Sequence, residues 1–249
     1  MASPKKPDLI ESLSTKEKKK KYTAYIFDKI YHRYDFITVF LSYGMDQGWK
    51  RTLIKMMNLK GHEKVLDLAC GTGDITFAEG EKLDSGRAIG LDITHGMLAI
   101  AEQKRQAANI NNVSFTRADI MQMPYPDASF DYVTGGYALR NVPDLKGGID
   151  EIYRVLKPGG KFFSLDFGHP QNKLYGWGYL QYLIVVGSLT GIVLHGDADT
   201  YRYIPETLKR YPGQDGVRDM MTNAGFTDCG YLQFMGGIMA INYGTKNKF

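Results

Sequence analysis

A chain of 249 residues with 43% hydrophobic content can bury one sizeable core, and its length suits a single α/β domain with appendages better than two half-sized domains. A net charge of +4 with 23% charged residues carries no bulk signature of nucleic-acid binding. Two unrelated cysteines, Cys70 and Cys229, argue against a disulfide scaffold or a metal site and suit a reducing compartment, and no apolar leader core stands near the N-terminus, so the expectation is a cytoplasmic protein.

Residues 1–21 are polar and lysine-rich and read as a disordered tail. The run Lys16-Glu17-Lys18-Lys19-Lys20-Lys21 is either a solvated face or a contact for an anionic membrane surface. From residue 22 onward lies a single folded domain. Over 22–60, the spacing of Tyr25, Ile26, Ile30, Tyr31, Tyr34, Ile37, Phe40 and Leu41, then of Trp49 to Met57, predicts a helical cap.

The middle alternates. Strands are expected over Lys64–Ala69, Arg87–Asp92, Val113–Arg117, Phe130–Thr134 and Lys161–Phe167. Helices are expected over Gly73–Lys82, His95–Ala108 and Asp144–Leu156, the last closed by Lys157-Pro158-Gly159-Gly160. A helix over Gln214–Asn223 and strands over Asp228–Phe234 and Gly237–Tyr243 end the chain. The predicted fold class is α/β: a mostly parallel, doubly wound sheet with an N-terminal helical cap and a C-terminal antiparallel strand.

One stretch meets the length rule for a membrane span. Leu174 to Leu194 holds 21 residues without a charge. Its four glycines, Tyr175, Trp177, Tyr179, Gln181 and Tyr182, and the acids that follow it favour an interfacial or buried lid over 170–212 covering a greasy pocket.

The chemistry concentrates in VLDLACGTGD, Val65 to Asp74. Gly71 and Gly73 open the first strand-to-helix turn, where a ligand approaches the main chain closely. A dinucleotide fingerprint would place a third small glycine-like residue where Thr76 stands, and Asp67 at the strand end would repel a pyrophosphate but attract a cation. S-adenosylmethionine, with an ammonium and a sulfonium, suits this loop better than a nicotinamide dinucleotide. Asp92 closes the second strand, where a carboxylate can accept both ribose hydroxyls, and Asp119 follows the third, beside apolar Ile93 and Ile120 for the adenine.

Several further stretches carry a narrower match: GGYALRNVPD (Gly135 to Asp144), RVLKPGGKFFSLDF (Arg154 to Phe167), DADTYRYIPETLKRYPGQ (Asp197 to Gln214), AGF (Ala224 to Phe226) and GGIMAINYGTK (Gly236 to Lys246). With these the chain resembles the Rossmann-like class I methyltransferases, and within them the C-methyltransferases of ubiquinone and menaquinone biosynthesis, over roughly Phe27 to Lys246. The resemblance implies cofactor contacts at Tyr34, Thr72, Asp92, Asp119 and Ile120, with Asp67, Ala69, Gly71, Gly73, Ile93, Met97 and Gly136 completing the set. The family's cap pattern is kept at Tyr34, Asp35, Ser42 and Trp49 but departs at Ile37, Thr38 and Asp46; Gly136 stands for a serine of some members, and Asp166-Phe167-Gly168 for Glu-Phe-Ser.

The implied reaction is S-adenosylmethionine-dependent methylation of a polyprenylated quinol ring, with a hydrophobic quinol as partner, peripheral membrane contact, a homodimer left open, and no nucleic acid or metal. Such chemistry needs no nucleophilic side chain but a dry site with a polar handle. Arg140 is the expected handle, able to lower the quinol pKa, unless it pairs with Asp144 or Asp166 to tie down its loop; Asn141 and Tyr137 would orient the acceptor. His169 and His195 are candidate bases, and Met121, Met123, Met235 and Met239 are core filling or a greasy wall. Other readings are methylation of a different hydrophobic acceptor at O, N or C, a binding module without catalysis, or a nicotinamide enzyme.

Overall fold

A computed structural model gives the fold over residues 7–248; the expectation for residues 1–6 lies outside the described residues. Seven strands, β1 (Lys64–Leu68), β2 (Arg87–Asp92), β3 (Val113–Arg117), β4 (Phe130–Gly136), β5 (Leu156–Phe167), β6 (Phe226–Phe234) and β7 (Met239–Lys246), form one sheet in the order β3-β2-β1-β4-β5-β7-β6. All neighbours up to β5 pair in parallel; β7 and β6 add on antiparallel. The expected doubly wound α/β sheet is therefore observed, with two antiparallel pairings at its C-terminal edge. The strand order reverses between β1 and β4, and a crevice opens there beyond the carboxyl ends of the strands.

Ten helices surround the sheet among the described residues: α1 (Leu9–Ser12), α2 (Lys16–Ile30), α3 (Tyr34–Leu41), α4 (Asp46–Met57), α5 (Asp74–Gly80), α6 (His95–Ala107), α7 (Leu145–Val155), α8 (Lys173–His195), α9 (Asp199–Leu208) and α10 (Gly213–Asn223). Side chains alternate across each strand, so β1 feeds two cores. Leu66 and Leu68 join Ile149, Ile152 and Val155 of α7 and Val217 and Met221 of α10; Val65 joins Trp49, Leu53, Ile54 and Met57 of α4 on the other face. A third core, built on Tyr22, Ile26, Ile30, Leu183, Tyr201 and Tyr203, binds the cap to α8 and α9.

The lysine run is not a tail. Thr15 caps α2 by accepting the Lys18 N–H at 3.2 Å, and the run forms the first turns of that helix. Lys16 pairs with Asp144 at 2.6 Å, Lys20 pairs with Asp119 at 2.5 Å, and Lys19 Nζ donates to the carbonyls of Arg140 and Val142, both at 2.8 Å. The helical cap accordingly begins at Leu9 rather than Tyr22. Several boundaries also move: α5 starts only at Asp74 because Gly73 is left-handed (φ 92°), β5 starts at Leu156, which pairs with Phe130 before the register shifts, β6 starts at Phe226, and β7 runs from Met239 to Lys246.

The expected lid is the pair α8 and α9. Asn172 caps α8 by accepting the N–H groups of Leu174 and Tyr175, and left-handed Gly196 ends it. Gly191 lets the two helices close up, since a Cβ there would lie 2.4 Å from the Asp197 carbonyl oxygen. Among the described residues α8 alone is long and apolar enough to cross a bilayer; here one face packs on the protein through Leu183, Gly187, Thr190 and Gly191.

Candidate active site

Three cavities meet at the switch point, and Tyr34 and Tyr137 border all of them. The first, about 780 Å³, lies beyond the ends of β1, β2 and β3 under α2; Ala69, Gly71, Asp92, Ile93, Met97, Asp119, Ile120 and Gly136 line it, with Asn141 and Thr94. A smaller one of about 340 Å³ continues along the glycine loop past Asp67, Ala69, Thr72, Lys50 and Asp74. The third, about 810 Å³, is aromatic and apolar. Its walls include Ile37, Trp49, Arg140, Phe167, Tyr179, Tyr182, Tyr203, Met235 and Met239.

Backbone strain marks the junction. Ala69 at the end of β1 (φ 49°) and Tyr137 just past β4 (φ 57°) both hold left-handed conformations that cost non-glycine residues about 1–3 kcal/mol. The Tyr137 N–H is tied to the Leu165 carbonyl at 2.7 Å, which aims its ring into the crevice. Gly136 is required for a different reason: a Cβ there would stand 2.4 Å from Ile75 Cδ1.

The three predicted acids are placed differently. Asp92 braces the glycine loop: its Oδ2 accepts the Gly71 N–H at 2.9 Å and its Oδ1 the Thr94 N–H at 2.8 Å. Burial raises its pKa although those N–H groups pull the other way. Asp119 Oδ1 accepts the Met121 N–H at 2.9 Å, and its other oxygen meets Lys20. Asp67, near the end of β1, faces the smaller cavity from below. Its carboxyl is 1% exposed, accepts the Thr76 hydroxyl at 2.7 Å, and forms the floor of the smaller cavity. Gly73 borders none of these three cavities; it packs against Phe77 and Phe115, where a Cβ would clash at 2.8 and 3.0 Å.

Thr72 donates to Asp35 Oδ1 at 2.5 Å, joining the loop to α3. Lys50 escaped the sequence reading. It lies 3.0 Å from both Asp46 and Asp74, and although burial works against its charge, those two acids outweigh it and raise its pKa. The i, i+4 spacing of Asp46 and Lys50 was the available signal.

Arg140 does two things at once. Its guanidinium borders the aromatic cavity, 5.2 Å from the Phe167 ring centroid and 5.6 Å from that of Tyr203, while its Nε lies 3.4 Å from Asp166 Oδ1. The pairing with Asp144 is not made, because Lys16 holds that acid. Burial pushes the Asp166 carboxyl up against the opposing pull of Arg140, and burial pushes the Tyr137 hydroxyl well above its usual value, so the phenol stays neutral. Asn141 is a brace: its Nδ2 donates to the Tyr137 carbonyl at 3.0 Å and its Oδ1 accepts from Arg140 at 3.2 Å.

Neither candidate histidine reaches these cavities. His169 is held by Gln214, and His195 Nε2 lies 2.9 Å from the Tyr201 hydroxyl. Met235 and Met239 do form a greasy wall, whereas Met123 is core. Among the described residues no group of three or more His, Cys, Asp or Glu is arranged to hold a metal.

Comparison with known proteins agrees with this geometry. The model of the ubiE/COQ5 methyltransferase family matches residues 14–246. The demethylmenaquinone methyltransferase of Oceanobacillus iheyensis is 34% identical over 92% of this chain and 96% of its own. The ubiquinone/menaquinone biosynthesis C-methyltransferase UbiE of Teredinibacter turnerae is 36% identical over 90% of each chain. Among solved structures, a SAM-dependent methyltransferase from Thermotoga maritima superposes with a TM-score of 0.65 at 19% identity, covering 90% of this chain and all of that one, a likeness of fold.

Proposed function

The chain belongs to the ubiE/COQ5 methyltransferase family, and from that premise we propose how its cavities divide the work: it is an S-adenosylmethionine-dependent C-methyltransferase of quinone biosynthesis, acting on the ring of a polyprenylated quinol. The observation that carries the reading is the meeting of an acid-lined cavity at the strand ends with an aromatic one at Tyr34 and Tyr137.

The residues present suit the donor. Asp92, buried and facing the first cavity, has acceptor capacity for the ribose hydroxyls; Ile93, Met97 and Ile120 offer apolar surface to the base; Asp67 and Lys50 offer opposite charges to the ammonium and carboxylate of its amino-acid end. When bound, S-adenosylmethionine supplies a methyl group on a sulfonium. Everything else is left to the aromatic cavity, whose walls exclude water and so favour the meeting of a phenolate with a cation over the separated ions. Arg140 borders this cavity, where a guanidinium beside the quinol hydroxyl would lower its pKa, so that the hydroxyl proton is lost to bulk solvent as the quinol enters and electron density is pushed onto the ring carbon, whose own proton leaves after the methyl is transferred.

The exposed face of α8 supports a place at the membrane surface. Leu174 (76% exposed), Trp177, Val185, Leu189, Ile192 and Val193 (79% exposed) point outward, and Phe36, Val39, Phe40 and Tyr43 of the α3 region continue the patch. The Tyr43 and Tyr182 rings, 6.1 Å apart, join this patch to the aromatic cavity, so a polyprenyl tail left in the bilayer is compatible with a head group inside. The protein is then peripheral at the inner face of the membrane.

Incubation with labelled S-adenosylmethionine and reduced demethylmenaquinone or demethylated benzoquinol analogues, followed by mass spectrometry, tests the reading. Expected is one added methyl on a ring carbon of at least one quinol. A product methylated only on oxygen would move the assignment to a different acceptor chemistry.

A further inference from the structure

Glu79, on the inner side of α5, is 0% exposed and borders none of the three cavities. Its Oε1 lies 2.6 Å from Thr134 Oγ1, and its Oε2 meets no hydrogen-bond partner. Thr134 stands opposite Asp67 in the parallel β1–β4 register, and the same hydroxyl lies 3.4 Å from Asp67 Oδ1. Two buried carboxyls therefore share one hydroxyl, which has one proton to give.

If both acids were ionised, Thr134 could satisfy one and would turn a lone pair toward the other, and Glu79 Oε2 would be a buried charged oxygen without a protein donor. Both arrangements are strongly unfavourable in a dry interior. One extra proton removes both. We infer that Glu79 is held as the neutral acid, its Oε1–H donating to Thr134 Oγ1 while Thr134 donates to Asp67 Oδ1, so that the negative charge rests on Asp67 at the floor of the donor cavity.

The partners decide which acid keeps the proton. Asp67 also accepts from the Thr76 hydroxyl and borders a cavity, whereas Glu79 has Thr134 alone. Burial raises both carboxyl pKa values, and the Asp67 charge raises that of Glu79 further. Among the titratable groups around Asp67, the Asp92 charge adds to the upward push and burial keeps the Cys70 thiol protonated, while Lys50 and Asp74 line the same cavity as an ion pair 3.0 Å apart. Kept neutral, Glu79 leaves Asp67 as the charged carboxyl at the glycine-loop cavity. This role rests on reading the glycine-loop cavity as the donor site.

Infrared spectroscopy of the purified full chain near neutral pH, combined with calorimetric titration of S-adenosylhomocysteine, tests the assignment. Expected is a carbonyl stretch of a buried protonated carboxyl that disappears in Glu79→Gln and persists in Asp67→Asn. Glu79→Gln, whose amide can donate to Thr134 as the neutral acid does, is expected to keep S-adenosylhomocysteine affinity within about threefold and to leave the acid limb of binding within about half a pH unit. Loss of the band in Asp67→Asn, or a fall of the acid limb by about one unit or more in Glu79→Gln, overturns the proposal, because either places the proton on Asp67 or the charge on Glu79. The infrared comparison of wild type with Asp67→Asn needs no change at position 79, so it decides even if Glu79→Gln fails to fold. A wild-type chain that binds no S-adenosylhomocysteine would sink the donor reading while the infrared arms still locate the proton.

Discussion

Replacing Asp92 by Asn tests the proposal that one carboxylate braces the loop and also accepts from the donor. In the wild type its two oxygens accept the Gly71 and Thr94 N–H groups at 2.9 and 2.8 Å. An amide keeps one acceptor and turns an NH₂ toward the other N–H, leaving one buried backbone donor unpaired at a cost of about 1–3 kcal/mol. For a chain of this size that is a fall in Tm of about 2–12 °C. The ribose hydroxyls would lose a charged acceptor as well, and hydrogen bonds to charged groups contribute about 1.5–3 kcal/mol, so S-adenosylhomocysteine should bind roughly 10- to 150-fold more weakly. Thermal melting of the free protein and calorimetric titration measure the two effects separately. Asp119→Asn is the control: it breaks a partly exposed pair with Lys20 (52% and 24% side-chain exposure), worth only about 0–1 kcal/mol of stability. If Asp92→Asn melts like the wild type and binds S-adenosylhomocysteine equally well, neither the bracing of the loop nor the assignment of the first cavity survives.

Arg140→Met should lower turnover by orders of magnitude with little change in S-adenosylhomocysteine affinity, and should cost about 3–5 kcal/mol of stability by leaving buried Asp166 unpaired; adding Asp166→Asn should restore part of the Tm but none of the rate. On α8, Leu189→Glu with Val193→Glu should weaken sedimentation with anionic vesicles about tenfold or more while S-adenosylhomocysteine binding holds; unchanged sedimentation would rule out this face as the membrane contact. Burial, with Arg140 adding to it, lowers the Lys19 pKa to about 8 from 10.5. The unfolded chain then binds more protons between those values, so stability should rise from pH 8 toward pH 10 by about 2 kcal/mol, and Lys19→Met should flatten that slope in urea melts.

The alternation of strands and helices, the glycine loop and the acids at successive strand ends could all be read along the chain, because each follows from a local period or from a turn that only certain residues can make. Asp92, Asp119 and Ile120 border the cavity where their positions at strand ends put them. The lysine run misled because its composition resembles a solvated tail, whereas its partners, Asp144, the carbonyls of Arg140 and Val142, and Asp119, lie about a hundred or more residues away. Asp67 reads as an acid at the strand end open to a cation, and it does border the smaller cavity, but its carboxyl also accepts from Thr76 of α5 and lies beside Thr134, contacts no local spacing records.

Local patterning thus determined the sheet, the order of its elements and the kind of ligand its crevice suits. Tertiary structure alone decided which charges were consumed by packing and which were left for chemistry: Arg140 shared between Asp166 and the aromatic cavity, Lys50 held between Asp46 and Asp74, Glu79 joined to Asp67 through one hydroxyl. The physical reason is range. Backbone period and turn geometry act over a few neighbours, while a buried charge must find its counterpart wherever the fold brings one, and no spacing along the chain records that meeting.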